Sequence, residues 1–281
     1  MKVLLFGSKG FMGRRFLEIF PEAIIPSVDI ADGRNVGELL DCEKPDLVIN
    51  AAGRTGRPNV DWCETHRMET LKSNVTGPLV LLEELGRRGI YWVHLSSGCI
   101  YQGDNNGKGF VEDDPPNYVG SFYSRTKAWS DQILKDFPNV LILRLRMPFD
   151  DSTDDRNLIM KLRKYPRVLD AQNSLTSIPD FLIAAKALIE RRKTGVYNMV
   201  NPGTISPFEI MELHREIMDP NHRFEKLTLA QLGGVVKAGR SNCVLSCEKL
   251  KREGLEMPTV RESVASSLEK MIAPFGVAQD A

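Results

Sequence analysis

The sequence lacks an excess of charge of either sign. Its 281 residues include 37 lysines and arginines against 37 aspartates and glutamates. A duplex-binding protein carries a basic excess, so bulk nucleic-acid binding has no support. Long hydrophobic runs are missing too, and none approaches the ~20 residues that cross a bilayer. The stretch Phe181 to Ile189 comes nearest and contains Lys186. The start, MKVLLFGSKG, has only a short apolar core before Gly7, too short for a signal peptide. Cysteine is scarce and odd in number: Cys42, Cys63, Cys99, Cys243 and Cys247. That argues for reduced thiols in the cytoplasm and against a disulfide framework. Cys243 and Cys247 have no second ligand pair at zinc spacing, so no metal site is expected. Internal repeats and low-complexity segments are absent. What remains is 42% hydrophobic and 26% charged, an ordinary globular mixture long enough for one large domain or two coupled ones.

Hydrophobic patterning predicts an α/β fold. Short β-rich runs at Val3–Phe6, Ile24–Val28, Leu47–Asn50, Trp92–Ser96 and Val140–Leu145 alternate with helical patterns. Phe11–Phe20 has helical spacing. Met68, Leu71, Val75, Leu79, Leu82 and Leu85 recur every three or four residues, as on a long amphipathic helix. Repeated β-α-β order implies a Rossmann-type, doubly wound parallel sheet with helices on both faces. Residues 1–150 read as a dinucleotide-binding domain. Residues 151–281 read mainly as a smaller α/β substrate lobe, after an acidic stretch at Asp150–Asp155 that could link the two. In that lobe Asn157–Tyr165, Pro179–Arg191, Pro207–Ile217 and Val260–Ile272 look helical, and Val196–Val200 looks like a strand returning to the main sheet.

The first strand runs into Gly7-Ser8-Lys9-Gly10-Phe11-Met12-Gly13. In strand–turn–helix context one glycine permits the tight turn, another lets backbone N–H groups approach a pyrophosphate, and a third lets helix and strand pack closely. The helix N-terminus then faces the anion. Asp29 ends the second expected strand, where a carboxylate holds a ribose 2′-hydroxyl and favours NAD. Lys9, Arg14 and Arg34 lie nearby in sequence and could instead hold a 2′-phosphate, so the two signals conflict. Asn50-Ala51-Ala52-Gly53 ends the third strand with small residues that let a cofactor lie across the sheet's carboxyl edge.

Tyr123 and Lys127 form a Y-x-x-x-K pair at the opening of a helix, one turn apart on one face. A phenol titrates near ~10. A neighbouring ammonium favours the phenolate and is expected to lower that value. The tyrosine can then give a proton to a carbonyl oxygen while hydride reaches the carbon. Ser97, 26 residues upstream, can bond the same oxygen. Cys99 stands two residues after Ser97; if extended geometry continues, both side chains point the same way.

Glycine turn, serine and Tyr/Lys pair together resemble the extended, nucleotide-sugar branch of the short-chain dehydrogenase/reductase superfamily. The runs Gly56–Glu64, Ser97–Tyr101, Gly120–Ser124, Leu143–Pro148 and Lys237–Cys243 are similar to those of the bifunctional nucleotide-rhamnose synthases. These are 3,5-epimerase/4-reductases of nucleotide-linked 4-keto-6-deoxyglucose. The resemblance implies that Tyr123 donates the proton, that Lys127 also contacts the nicotinamide ribose, and that Ser97 positions the carbonyl. It implies epimerisation by Cys99 and Lys161, with Cys99 the base and Lys161 the acid or the reverse. Such a lysine needs its pKa lowered by burial or by like charge, which Arg163 and Lys164 could supply. Arg57, Asn59, Asn157 and Arg240 are further candidates for the nucleotide sugar, Arg240 for its diphosphate. NADPH is the implied cofactor, with NADH open; UDP and dTDP sugars are both open, with UDP-rhamnose favoured as product. A homodimer through the long helices is a family-level expectation. Two other readings stay open: a 4-reductase alone, and a non-enzymatic subunit like the regulatory subunit of methionine adenosyltransferase. Cys99 argues against the first, and intact Ser97, Tyr123 and Lys127 against the second. His66, His94, His214 and His222 have no obvious partners and read as structural or solvent-facing, and Asn74 reads as satisfying backbone groups.

Overall fold

The computed structural model describes residues 1–232 and 237–272; the expected tail of the second lobe, 273–281, lies outside the described residues. Among the described residues no helix is long and apolar enough to cross a membrane, and no cluster of His, Cys, Asp and Glu can hold a metal ion.

Five strands form one wholly parallel sheet: β1 (Val3–Phe6), β2 (Leu47–Asn50), β3 (Tyr91–Ser97), β4 (Val140–Leu145) and, after a short β5 (Arg167–Leu169), β6 (Gly195–Asn198). Their order is β1-β2-β3-β4-β6, so the late strand does return beside β4. Nearly every residue of these strands is buried because both faces are covered, and most are apolar. Val3, Leu5, Leu47, Ile49, Val93, Leu141 and Leu143 face one layer. There they meet Phe16 of α1 (Phe11–Ile19) and Phe181 and Ala185 of α8 (Ile178–Glu190). Phe16 and Phe181 pack edge to face with centroids 5.8 Å apart. Leu4, Phe6, Val48, Trp92 and Ile142 face the other layer, built from α2 (Gly33–Glu43), α5 (Gly77–Arg87) and Leu134 of α6 (Phe122–Leu134). The doubly wound fold is as expected.

Three details differ. Ile24–Val28 is not a strand: Ile24 makes one parallel bridge to Leu4 on the outer side of β1, and Pro26 two residues on has no N–H for a ladder. That bridge still matters. The chain continues from β1 to one side at Ile24 and to the other at β2, so the switch point opens beside the Gly7 turn. The long helix runs over Arg67–Arg87 but is interrupted by a π-turn, Lys72–Thr76, between α4 (Arg67–Leu71) and α5; α3 (Asp61–Thr65) precedes it. Finally, the acidic stretch is fastened down: Asp150, almost wholly buried, pairs with Arg15, and Asp154 with Arg14.

The second half has its own apolar cluster. α7 (Leu158–Leu162), α9 (Pro207–Ile217) and α10 (Val260–Ile272) enclose Ile159, Ile210, Met211, Val264 and Leu268 beside a two-stranded parallel sheet of β5 and β7 (Glu225–Leu227). A smaller cluster, Ile100, Tyr101, Phe110, Cys243 and Leu245, packs the segment after β3 against the segment near Cys243.

Candidate active site

The site begins at the N-terminus of α6. Ser121 caps it, accepting from the Ser124 N–H at 3.1 Å, and the Glu64 carboxylate accepts from the Phe122 N–H at 2.6 Å. Both satisfy donors that a helix start leaves open, and the acid adds favourable charge against the helix dipole. The cap fixes the first turn, and with it Tyr123 and Lys127, which are 9% and 5% exposed. The Lys127 ammonium donates to the Leu95 carbonyl of β3 at 2.8 Å. Thr126 between them accepts from Asn74, which also bonds both the N–H and the carbonyl of Arg54. Asn74 sits in the π-turn, and its expected role with backbone groups is what it performs.

Burial, not charge, sets the titration of this pair. It pushes the Tyr123 phenol well above its usual value, with Cys99 adding to the rise; the Ser97 hydroxyl and the Arg146 cation oppose it. Burial likewise brings Lys127 down to about 8 against the pull of Asp131 and Cys99. The expected lowering of the tyrosine by its lysine is therefore overturned: desolvation disfavours both charged forms at once. The phenol is held protonated, which is the form a proton donor needs.

Beneath α6 lies a fully buried ion pair. Arg144 of β4 is bidentate to Asp131, at 2.6 and 3.0 Å, and Ser96 donates to the same carboxylate at 2.6 Å. Arg144 also donates to the Tyr101 hydroxyl and the Glu112 carbonyl. Strand β4, helix α6 and the loop at Tyr101 and Glu112 are thus locked together.

Ser97 ends β3, and extended geometry does not continue past it. Gly98–Ile100 is a 3₁₀ turn in which the Ser97 hydroxyl accepts from the Cys99 N–H at 3.2 Å. A serine bonding the backbone two residues on turns the chain out of the strand, so the alternation argument for Cys99 fails. The sulfur reaches the same wall by this turn instead. It stands near enough to Tyr123, Tyr118 and Lys127 to influence each of their charges.

At the switch point the glycines fit a dinucleotide turn. Gly7 has a φ of +79°, and a Cβ there would lie 2.4 Å from the Ala52 nitrogen; on Gly13 it would lie 2.1 Å from the Gly7 carbonyl oxygen. Helix, strand and the Ala51–Ala52 segment can meet only without side chains at these points. The Gly10 cap of α1 makes no side-chain bond and no acid stands in the first turn, so the N–H groups there are free for an anion. Lys9 is exposed beside the turn, Phe11 buried and Met12 half-buried, with Gly53 exposed past β2. Asp29 is bridged to Lys72 at 2.8 Å, which holds its carboxyl below the ordinary range; its side chain also accepts from the Ala31 N–H. Arg34 is paired with Glu38 on the open surface of α2 and Arg14 with Asp154, so the cations at Asp29 are Lys72 and Arg54 instead.

The Gly56–Glu64 run is a strap. Besides Glu64 at α6, Asp61 binds Arg240 at 2.8 Å and accepts from the Ala238 N–H, while Asn59 accepts from the Asp61 N–H. Arg57 is exposed and makes no ion pair among the described residues. Asn157 is fully buried, its amide donating to the Asp150 and Ser152 carbonyls and its oxygen capping α7 at the Ile159 N–H. It shapes the loop that carries Lys161. Burial lowers Lys161, and its like-charged neighbour is Arg156; Lys164 is taken by Asp155 and Arg163 leans on Met160.

A profile of the RmlD substrate binding domain matches residues 1–273. The chain belongs to this family. It is 41% identical over 241 residues to a bifunctional dTDP-4-dehydrorhamnose 3,5-epimerase/dTDP-4-dehydrorhamnose reductase of Arabidopsis thaliana, covering 84% of this chain and 80% of that one. A trifunctional UDP-glucose 4,6-dehydratase/UDP-4-keto-6-deoxy-D-glucose 3,5-epimerase/UDP-4-keto-L-rhamnose-reductase of the same plant is 36% identical over 275 residues, 94% of this chain but only 41% of that longer one. Among solved structures, the L780 UDP-rhamnose synthase of Acanthamoeba polyphaga mimivirus superposes with a TM-score of 0.93 at 32% identity, over 96% of this chain and 99% of that one. A dTDP-4-dehydrorhamnose reductase of Bacillus anthracis in complex with NADP shares the fold, with a TM-score of 0.80 at 21% identity over 97% and 98% of the two chains.

For this RmlD-family chain, residue reasoning missed Glu64, Asp131, Arg144, Arg146 and Lys72. One signal was readable: two arginines at alternate positions, Arg144 in an otherwise apolar buried strand and Arg146 immediately after it. Of the histidines, His94 is fully buried against Asn50, His66 stacks on Trp62, and His214 packs edge to face against His222.

Proposed function

We propose that this chain reduces the C4 ketone of a nucleotide-linked 4-keto-6-deoxy sugar with NADPH, after epimerising C3 and C5, to give nucleotide-L-rhamnose. The observation that carries the reading is that Ser97 and Cys99, from the end of β3, and Tyr123 and Lys127, from the first turns of α6, come together, with Ser97, Tyr123 and Lys127 buried. The relatives' names support the sugar class, and the UDP-named ones favour a UDP sugar.

NADPH would be held by the Gly7, Gly10 and Gly13 turn with Phe11, Met12 and Lys9. Ala51, Ala52 and Gly53 would lie beneath it, and Lys127 would reach its ribose. The Lys72 and Arg54 cations near Asp29 suit a 2′-phosphate better than a bare hydroxyl, which supports NADPH over NADH. When bound, it supplies the hydride for C4. Ser97 bonds the carbonyl oxygen, and Tyr123, held protonated by burial, donates its proton to the developing alkoxide. The Arg146 cation, which opposes the rise of the phenol, favours the phenolate left behind. The ketone first acidifies the C3 and C5 protons; Cys99 and Lys161 exchange them from opposite faces, and the half-buried, lowered Lys161 suits a proton donor and acceptor. Arg57, Asn59 and Arg240 would meet the nucleotide diphosphate, and Asn157 positions the Lys161 loop.

The test is direct. The purified protein, given UDP-4-keto-6-deoxyglucose and NADPH, oxidises the cofactor and yields UDP-L-rhamnose by NMR. Tyr123→Phe loses at least ~100-fold of that rate, the worth of a positioned proton donor. No cofactor consumption with either the UDP or the dTDP sugar refutes the enzyme reading, and an unimpaired Tyr123→Phe refutes the proton donor.

A further inference from the structure

Arg144, near the end of β4, and Arg146, just past it, are accommodated in different ways. Arg144 is fully buried and has a carboxylate, Asp131, in bidentate contact. Arg146 is 3% exposed and has none. Among the described residues it joins no ion pair. Its Nη2 donates to the Asn173 side-chain oxygen and the Ser241 carbonyl, its Nη1 donates to the Cys99 sulfur at 2.9 Å, and its Nε is buried with no partner. An arginine cannot shed its charge. A buried, unpaired cation is costly, and folded proteins neutralise such charges with a partner.

Three groups within reach could supply the negative charge: Cys99, Cys243 and Tyr123. Cys243 is excluded because its sulfur donates a hydrogen bond to the Gly98 carbonyl at 3.2 Å, which requires the thiol form. Tyr123 is the group that must keep its proton for the reduction. Cys99 alone is hydrogen-bonded to the guanidinium, and as an acceptor. The remaining charged and titratable groups around the sulfur agree. Lys127 and Tyr123 of α6, Cys63 of α3 and Tyr118 of the loop before α6 share its surroundings; of the carboxylates nearby, Asp131, which acts on Lys127, is committed to Arg144, and Glu64, which acts on Tyr118, accepts from the Phe122 N–H. Among the described residues the one side-chain hydrogen bond to the Cys99 sulfur comes from a cation, and no carboxylate bonds it.

We infer that Arg146 is a positioning residue that holds Cys99 as a thiolate, which makes Cys99 the proton acceptor of the epimerisation. The inference deepens the epimerase reading and rests on it for the chemistry. The thiolate takes a proton from the carbon next to the ketone: the C–H bond breaks, an S–H bond forms, and the electron pair passes to the carbonyl oxygen as an enolate. Lys161, as ammonium, returns a proton to that carbon from the other face, and the enolate pair re-forms a C–H bond. The new thiol and the neutral lysine regain their starting states by exchange with water, so no further reactant is needed. The same negative sulfur opposes ionisation of Tyr123, so the phenol keeps its proton until hydride arrives.

The experiment reads the sulfur, not turnover. The full-length protein is treated with iodoacetamide from pH 5 to 10, and the rate at each cysteine is measured by peptide mass spectrometry. The rate at Cys99 is expected to reach half its maximum at least about one pH unit below the ~8.5 of an ordinary thiol. Arg146→Met is expected to move that midpoint up by a unit or more and to slow deuterium uptake from solvent at neutral pH by at least tenfold, with recovery in alkali; Arg146→Lys restores part of both. A wild-type midpoint at or above ~8.5 overturns the proposal even where Arg146→Met fails to fold, and so does a midpoint that Arg146→Met leaves unmoved. A low midpoint with no deuterium uptake in the wild type upholds the thiolate and sinks the epimerase reading instead.

Discussion

Replacing Lys127 by methionine is expected to stabilise the fold while stopping the reaction. The perturbation removes a buried ammonium and leaves a chain of similar length. Burial brings this group from 10.5 down to about 8 in the folded state. That drop corresponds to ~3 kcal/mol held against the charged form at neutral pH. The variant also orphans the Leu95 carbonyl, which now accepts from the lysine at 2.8 Å, at a cost of ~1 kcal/mol. The net gain at pH 7 is ~2 kcal/mol, a melting temperature higher by about 5 °C for a chain of this size. The sign with pH follows from proton counts. Between about 8 and 10.5 the unfolded chain holds the lysine proton and the folded chain does not, so wild-type stability gains with rising pH at this site while the variant's does not. The advantage of Lys127→Met is therefore full at pH 7 and gone near pH 10.5. Urea unfolding of both proteins at pH 7, 9 and 10.5 measures it, and other titrating groups cancel in the difference. A variant less stable than wild type at pH 7, or a gap that does not close in alkali, refutes the reasoning that desolvation dominates here.

Two further substitutions probe the frame around the site. Asp131→Asn leaves Arg144 buried without its carboxylate and should cost ~3–5 kcal/mol, read as a lower urea midpoint; a loss under ~1 kcal/mol would show the pair to be dispensable. Gly13→Ala puts a methyl 2.1 Å from the Gly7 carbonyl oxygen, so the turn must open and NADPH binding, followed by fluorescence titration, should weaken at least ~10-fold; unchanged binding contradicts the cradle.

The layered fold was legible because its strands are apolar on both faces and its helices are not. Val3–Phe6, Leu47–Asn50 and Val140–Leu145 follow from that pattern, as do Pro207–Ile217 and Val260–Ile272. The edge at Ile24 was not, since an apolar run reads as a strand even where Pro26 withholds a donor. The π-turn left no mark because the spacing from Met68 to Leu85 survives one widened turn. Within the site, residues joined by local spacing could be read: the glycines, and Tyr123 with Lys127. Those joined only by folding could not. Glu64 caps a helix 58 residues away, Lys72 reaches Asp29 across the switch point, and Arg146 meets a sulfur 47 residues before it. The titration of Tyr123, expected to fall beside Lys127, rises for a related reason. Spacing reports that a charge is near, and only coordinates report how little water is.

The central claim is that one wall of this molecule carries both proton exchange and reduction, and Cys99→Ala separates them. The variant is incubated in D₂O with the 4-keto-6-deoxy sugar nucleotide, and in parallel with the already epimerised 4-keto-L-rhamnose form plus NADPH, with both products followed by NMR. The account predicts no deuterium at C3 or C5 in the first incubation and near-wild-type reduction in the second. Deuterium entering both positions at the wild-type rate would contradict it.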